Sequence, residues 1–196
     1  MRITACLLAA LFAAPAVLAQ ETIEWSAGQR LARSDFRGRV PAGAQHASLS
    51  WINIDAEWGC ETAGLVTSVR AAFDPSRSWW RSPGGSVWGS GGERTSSSRA
   101  QQDARRSVVD RDMQLLEHEQ LHFDIAEVAA RKIRARFEAL KDACGDPGGT
   151  GALQQVVADA DRDLQEEQQR YDRETSHGVD ARAQDQWKRR IRALLR

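Results

Sequence analysis

The chain has 196 residues, with 27 basic and 27 acidic side chains. That length suits one domain with a real core and falls short of two. A balanced charge gives no global attraction to nucleic acid or to an anionic membrane surface, and past the first twenty residues no stretch is apolar enough to span a bilayer.

The first segment, MRITACLLAALFAAPAVLA (1–19), carries one basic residue, Arg2, then an apolar run that closes on Val17-Leu18-Ala19. That is the pattern of a signal peptide cleaved after Ala19, with export to the periplasm or the medium. Residues 20–196 are then expected to form one domain of net charge −1, since the leader removes Arg2 and no acid. The leader also removes Cys6, leaving Cys60 and Cys144, an even pair that an oxidising compartment should join as a disulfide.

The domain opens with a short strand over Thr22 to Trp25, followed by the turn-rich LARSDFRGRVP. HASLSWINIDAEWGC alternates in polarity, with Ala47, Leu49, Trp51 and Ile54 among Ser, Asn and Asp, and reads as one or two strands with a polar outer face. LVTSVRAAF (65–73) reads as another strand, with Val66, Val69 and Phe73 as core positions. Asp74-Pro75 ends it, and Trp79-Trp80 resumes a strand. Gly, Ser and Pro dominate residues 82–103, which reads as a flexible loop around Trp88, serving as a lid or a surface insertion.

The remainder is helical. From Ala104 to about Ala143 there is no Pro or Gly, and Val109, Met113, Leu116, Leu121, Ile125, Val128, Ile133, Phe137 and Leu140 recur at helical spacing. CGDPGGTG stops that helix. A second is predicted over 152–176 and a last one over 181–195, with the two long helices antiparallel. The fold class is α+β: a small antiparallel sheet packed on a long helix, plus a second long helix and a C-terminal helix.

His118-Glu119-Gln120-Leu121-His122 matches H-E-x-x-H. Four-residue spacing puts both imidazoles on one helical face, where they can share a metal ion, and zinc suits two neutral imidazoles. Glu119 is then placed as general base. The chain has four histidines, and two of them lie in this motif. No third histidine follows at close spacing, so the third ligand comes from elsewhere. His177, in the cluster YDRETSHG, is the first choice. Asp172, Glu174 and Glu127 are its carboxylate competitors, and His46 is expected at the surface. Asp124 and Glu127 are candidates to accept the free ring N–H of a ligand histidine, and Asp172 and Glu174 to support the site. Tyr171 either stabilises an oxyanion or packs in the core.

These pieces, IEW, SDFRG, SLSW to GC, SWW, LLEHEQLHFDIAE, YDRETSHG and Gln186-Trp187, together resemble a family of bacterial exported proteins described as predicted secreted zinc-dependent proteases. The resemblance implies a zincin-like arrangement with His118 and His122 as ligands and Glu119 as catalyst, and it draws the His177 cluster into the site. The expected activity is hydrolysis of a peptide or protein substrate, which an edge strand near the site could hold in extended form. The competing expectation is a non-catalytic exported protein that zinc staples and that binds an envelope partner. Arg131, Arg134, Arg136, Arg189, Arg190 and Arg192 are interleaved with acids, so no nucleic acid is expected. The oligomeric state is not legible.

Overall fold

The computed structural model describes residues 21–62, 64–81, 99–145 and 148–196. The expected leader 1–19 lies outside them, as do residues 82–98 of the expected loop. The fold is α+β, as its strand-then-helix pattern suggests. Its strands are β1 (Ile23–Glu24), β2 (Ser48–Leu49), β3 (Ile52–Glu61), β4 (Gly64–Phe73) and β5 (Trp79–Trp80). Its helices are α1 (Arg99–Ala139), α2 (Gly149–Thr175) and α3 (Ala181–Leu194).

β3 and β4 form a long antiparallel hairpin from Ile52↔Phe73 to Glu61↔Gly64, and β1 adds to the far edge of β4. β2 and β5 pair separately. One pleated face of β4 carries Val69, Ala71 and Phe73 onto α1, where Phe73 lies 6.1 Å from Phe123. Val66, expected in the core, is 47% exposed. It stands three residues from Val69, and side chains on a strand share a face only at even spacing. The SDFRG segment braces the same corner. Phe36 packs edge-on to Phe73 and Trp80, and Gly38 sits against the Ser78 carbonyl, where a Cβ would come within 2.7 Å.

β2 inverts the expected polarity. Leu49 and Trp51 face outward, at 37% and 41% exposure, while Ser48 is buried. Its hydroxyl reaches the Glu119 carboxylate on α1 below it.

α1 begins at Arg99, inside the stretch read as loop, because RAQQD holds no Gly or Pro to prevent it. Its 41 residues span about 60 Å. The sheets and α2 cover its later part, burying Leu121, Ile125, Ile133 and Phe137. Val109 and Met113, expected on the buried stripe, are exposed because they lie upstream of that cover. α2 returns antiparallel to α1 and buries Leu153, Ala160, Leu164 and Tyr171. Cys60 and Cys144 form a disulfide with Cα atoms 5.5 Å apart, tying the hairpin to the α1–α2 turn. No described helix is long and apolar enough to cross a membrane.

The disulfide closes a separation of 84 residues. Replacing both cysteines by serine should lower the unfolding free energy by about 2–4 kcal/mol, read from urea unfolding. An unchanged midpoint would mean that the helices hold the hairpin without the bond.

Candidate metal centre

Helical geometry stacks His118 and His122 one turn apart on the face of α1 that meets α2. Because α2 runs the other way, four residues forward on α1 match four back on α2: His118 meets Asp172, and His122 meets both Asp172 and Gln168. Asp172 Oδ1 lies 3.1 Å from His118 Nε2 and 2.9 Å from His122 Nε2, and the two nitrogens are 3.1 Å apart. Among the described residues, His118, His122 and Asp172 are the group of potential ligands whose donor atoms all lie within 4.8 Å of one another.

The outer hydrogen bonds define the proton positions. Gln168 Nε2 donates to the His122 carbonyl at 2.9 Å, which turns Gln168 Oε1 toward His122 Nδ1. Gln184 Oε1 accepts from the Tyr171 hydroxyl at 2.7 Å and faces His118 Nδ1 at 3.3 Å. Amide oxygens only accept, so each Nδ1 carries its ring proton and each neutral imidazole turns a bare Nε2 lone pair inward. Two lone pairs and a carboxylate oxygen therefore converge with no donor between them. Such a cluster repels itself away from water unless a cation joins it.

Without a metal, a proton can serve. Burial lowers the pKa of His122, but the hydrogen bond to Asp172, the charges of Glu119 and Asp172 and the bond to Gln168 outweigh burial and raise it above the ordinary imidazole value. Burial raises the pKa of Asp172, yet its bonds to His118 and His122 hold the carboxyl well below the usual carboxylate range. A divalent ion fits the same place. Four ligands at zinc's usual distances stand about 3.3 Å apart in a tetrahedron, close to the three edges seen here. Ligand histidines typically donate their second ring N–H to an acceptor, as both do to glutamine here.

Glu119 is buried beside the pair. Ser48 Oγ donates to its Oε1 at 2.5 Å, and the Ser50 hydroxyl donates to its Oε2. These side chains line a cleft of about 510 Å³, with His46 and His177 also on its wall.

Several expected residues land elsewhere. His177, the first choice as third ligand, is 58% exposed, with Nδ1 3.6 Å from Asp172 Oδ1, so Asp172 takes the inner position and His177 the rim. The His46 ring lies 5.0 Å from that of His177. Tyr171 is fully buried, stacked on His118 at 4.6 Å and edge-on to His122 at 4.8 Å. Burial pushes its pKa far above the ordinary phenol value, and its hydroxyl is engaged by Gln184. It supports the histidines from beneath and does not line the cleft, which matches core packing, one of its two expected roles, and leaves no oxyanion role for it. Asp124 touches neither histidine. It accepts from Trp25 Nε1 at 2.8 Å and Gln120 Nε2 at 2.9 Å, fastening β1 to α1. Glu127 pairs with Arg131 and Arg134, and Glu174 accepts from Trp187 Nε1 at 2.8 Å. Both are structural contacts on other faces.

Four residues went unread in the sequence: Gln168, Gln184, Ser48 and Ser50. Gln168 had a usable signal, because its four-residue spacing from Asp172 mirrors that of the two histidines. Ser48 and Ser50 had a weaker one, in alternating with Leu49. Gln184 had none, since it reaches the site from α3.

YDRETSHG also folds the end of α2. Thr175 Oγ1 bonds back to the Tyr171 carbonyl at 2.7 Å and accepts from Gly178 N–H. Ser176 and His177 adopt left-handed conformations, with φ of 49° and 54°, and His177 N–H donates to the Asp172 carbonyl at 2.8 Å. The chain then enters α3, whose first turn is capped by Asp180 Oδ1.

Residues 93–178 match a family described as "Bacterial protein of unknown function (DUF922)". The match covers under half of the chain and is to that extent a similarity. It contains His118, Glu119, His122 and Asp172 and ends at Gly178. No curated protein and no solved structure matched the chain.

Gly178 has φ of +81°, and a Cβ there would sit 2.9 Å from both Cβ and Cγ of His118. Gly178→Ala should therefore destabilise the fold by about 1–3 kcal/mol and disturb the His118 ring. Thermal unfolding and the His118 ring signals in NMR would check this. A variant with unchanged melting temperature and ring shifts would refute the close approach.

Proposed function

We propose that this chain is an exported zinc-dependent peptidase in which His118, His122 and Asp172 hold the ion and Glu119 is the general base. The observation that carries this reading is the convergence of three inward-facing acceptor atoms, beside a carboxylate, on an open cleft. Zinc held there would polarise the scissile carbonyl and bring the pKa of attacking water toward about 7. The Glu119 carboxylate takes the proton from water and delivers it to the leaving amine nitrogen. Ser48 and Ser50 hold both of its oxygens, so its orientation is set before substrate arrives. Gln168 and Gln184 keep the Nε2 lone pairs of the histidines pointed inward throughout.

Export is supported by the leader pattern of residues 1–19 and by the Cys60–Cys144 disulfide, which suits an oxidising compartment. A purely structural zinc staple, the competing reading, needs a closed set of four protein ligands. His177 would have to complete it, and in that reading Glu119, which has no ion pair among the described residues, is buried to no purpose.

The purified mature chain is expected to carry one zinc. Asp172→Ala should weaken zinc binding by more than about a hundredfold, beyond the 10–100-fold typical of losing a mere supporting contact. His177→Ala should leave it near wild type. The reverse ranking would make His177 the ligand, and no zinc in the wild type after loading at neutral pH would end the metal reading.

Glu119→Gln should keep the ion and lower kcat on unfolded protein substrates by about 10²–10⁴-fold. Undiminished turnover in that variant would remove Glu119 from the reaction.

A further inference from the structure

Gln184 is only 4% exposed, and it uses one half of its amide. Its Oε1 accepts from the Tyr171 hydroxyl and faces His118 Nδ1. Its Nε2 carries two N–H donors, yet has no hydrogen-bond partner among the described residues. Nor is that nitrogen sealed from the surface. A donor this deep in a fold is costly to leave unpaired.

Gln184 lines a second cavity, of about 220 Å³, which shares no residue with the cleft. Met113, Leu116, Gln120 and Asp124, three or four residues apart, give it one face of α1, opposite the face that carries Glu119 and His122. Gln184, Lys188 and Arg192, four apart, give it one face of α3, and Arg30 and Leu31 close it. The Gln184 amide therefore stands between this cavity and His118.

The lining sets the chemistry of what fits. Leu31, Met113, Leu116 and Leu121 make the wall largely apolar. Gln120 is fully engaged, accepting from Leu31 N–H and donating to Asp124. Lys188 pairs with Glu117 at 2.8 Å, and Arg30 lies 3.9 Å from Asp124. Arg192 is left exposed at the rim, without a counter-charge among the described residues. An unpaired donor at the inner end and one surplus positive charge at the rim call for an anion that accepts hydrogen bonds. The volume falls below the roughly 300–1,000 Å³ of sites for drug-sized molecules, so that anion is small.

We infer that this cavity binds a small carboxylate with an apolar body. One carboxylate oxygen accepts from Gln184 Nε2, Arg192 supplies the surplus charge, and Met113, Leu116 and Leu121 cover the alkyl part. The same amide links the ligand to His118. An acceptor at Nε2 polarises the amide and makes Oε1 a stronger acceptor for His118 Nδ1–H, which raises the basicity of the other ring nitrogen. The binding site stands on its own lining, and only its effect on the ion rests on the zinc reading above.

The test titrates isocaproate, a short branched acid, into the mature chain with and without zinc, followed by NMR. A ligand of this size should bind with a Kd on the order of a millimolar. The side-chain amide of Gln184 and the methyl of Met113, the only methionine in residues 20–196, should shift together, with Overhauser contacts between that methyl and the ligand. Binding that leaves the Gln184 amide unmoved overturns the inference, as does the absence of saturable binding. Arg192→Glu should weaken isocaproate by about tenfold and leave isocaproamide, its uncharged counterpart, nearly unaffected. Equal losses for acid and amide would overturn the assignment of the ligand as an anion. Saturating isocaproate should tighten zinc by about fivefold, and zinc should tighten isocaproate by the same factor. An unchanged zinc affinity would overturn the link through Gln184. The same Gln184 and Met113 shifts in a chain that takes up no zinc would keep the site and remove the metal reading alone.

Discussion

The arrangement turns on three acceptor atoms held within 3.1 Å of one another between α1 and α2, two imidazole nitrogens and one carboxylate oxygen. Left alone, they oppose the packing that brings them together. A core of this size would be more stable with apolar residues there. The surrounding structure is arranged to keep the three in place. Gln168 and Gln184 fix both tautomers, Tyr171 and Trp187 form an aromatic layer under the rings, and Gly178 lets the chain leave α2 against the His118 side chain. Local strain and polar burial tolerated at one point are characteristic of sites kept for function.

Each part of the fold has a separable task. The α1–α2 hairpin supplies the three converging groups, and the disulfide at its far end ties the short turn Ala143–Gly145 between the helices to the β3–β4 hairpin. α3 contributes Gln184 from within the helix and Trp187 from the following turn. The sheets contribute none of the three converging groups. They cover the later part of α1 and bring β2 across Glu119, so the carboxylate is oriented by a strand distant in sequence from the helix that carries it.

What was legible in the sequence follows the range of each interaction. H-E-x-x-H was legible because an i, i+4 pair depends on helix geometry alone. The strands and helices were legible from period, and the disulfide from cysteine arithmetic. The third inner group was not, because choosing between Asp172 and His177 depends on how the last turn of α2 unwinds. Ser176 and His177 go left-handed, which carries His177 to the rim and leaves Asp172 facing the histidines. Polarity misled at β2 for a related reason. Alternation shows that two faces differ, but it does not show which face is covered, and here the serines face in because a buried carboxylate needs donors. Asp124 and Glu174 illustrate the converse, since acidic residues near a motif in sequence turned out to serve tryptophan N–H groups instead.

The extent of the family similarity divides the molecule along the same line. Residues 93–178 include the hairpin with all three inner groups and Glu119, but not β2, β5 or α3. The three converging groups come from that hairpin alone, whereas Gln184 against His118 and the serines that orient Glu119 come from outside the match. The two halves join at the serine–carboxylate contacts, where Ser48 and Ser50 orient the Glu119 carboxylate. On the proposed reading, a change in β2 that preserves both hydroxyls leaves the three groups that would hold the ion untouched, whereas a change in YDRETSHG reaches Asp172 directly.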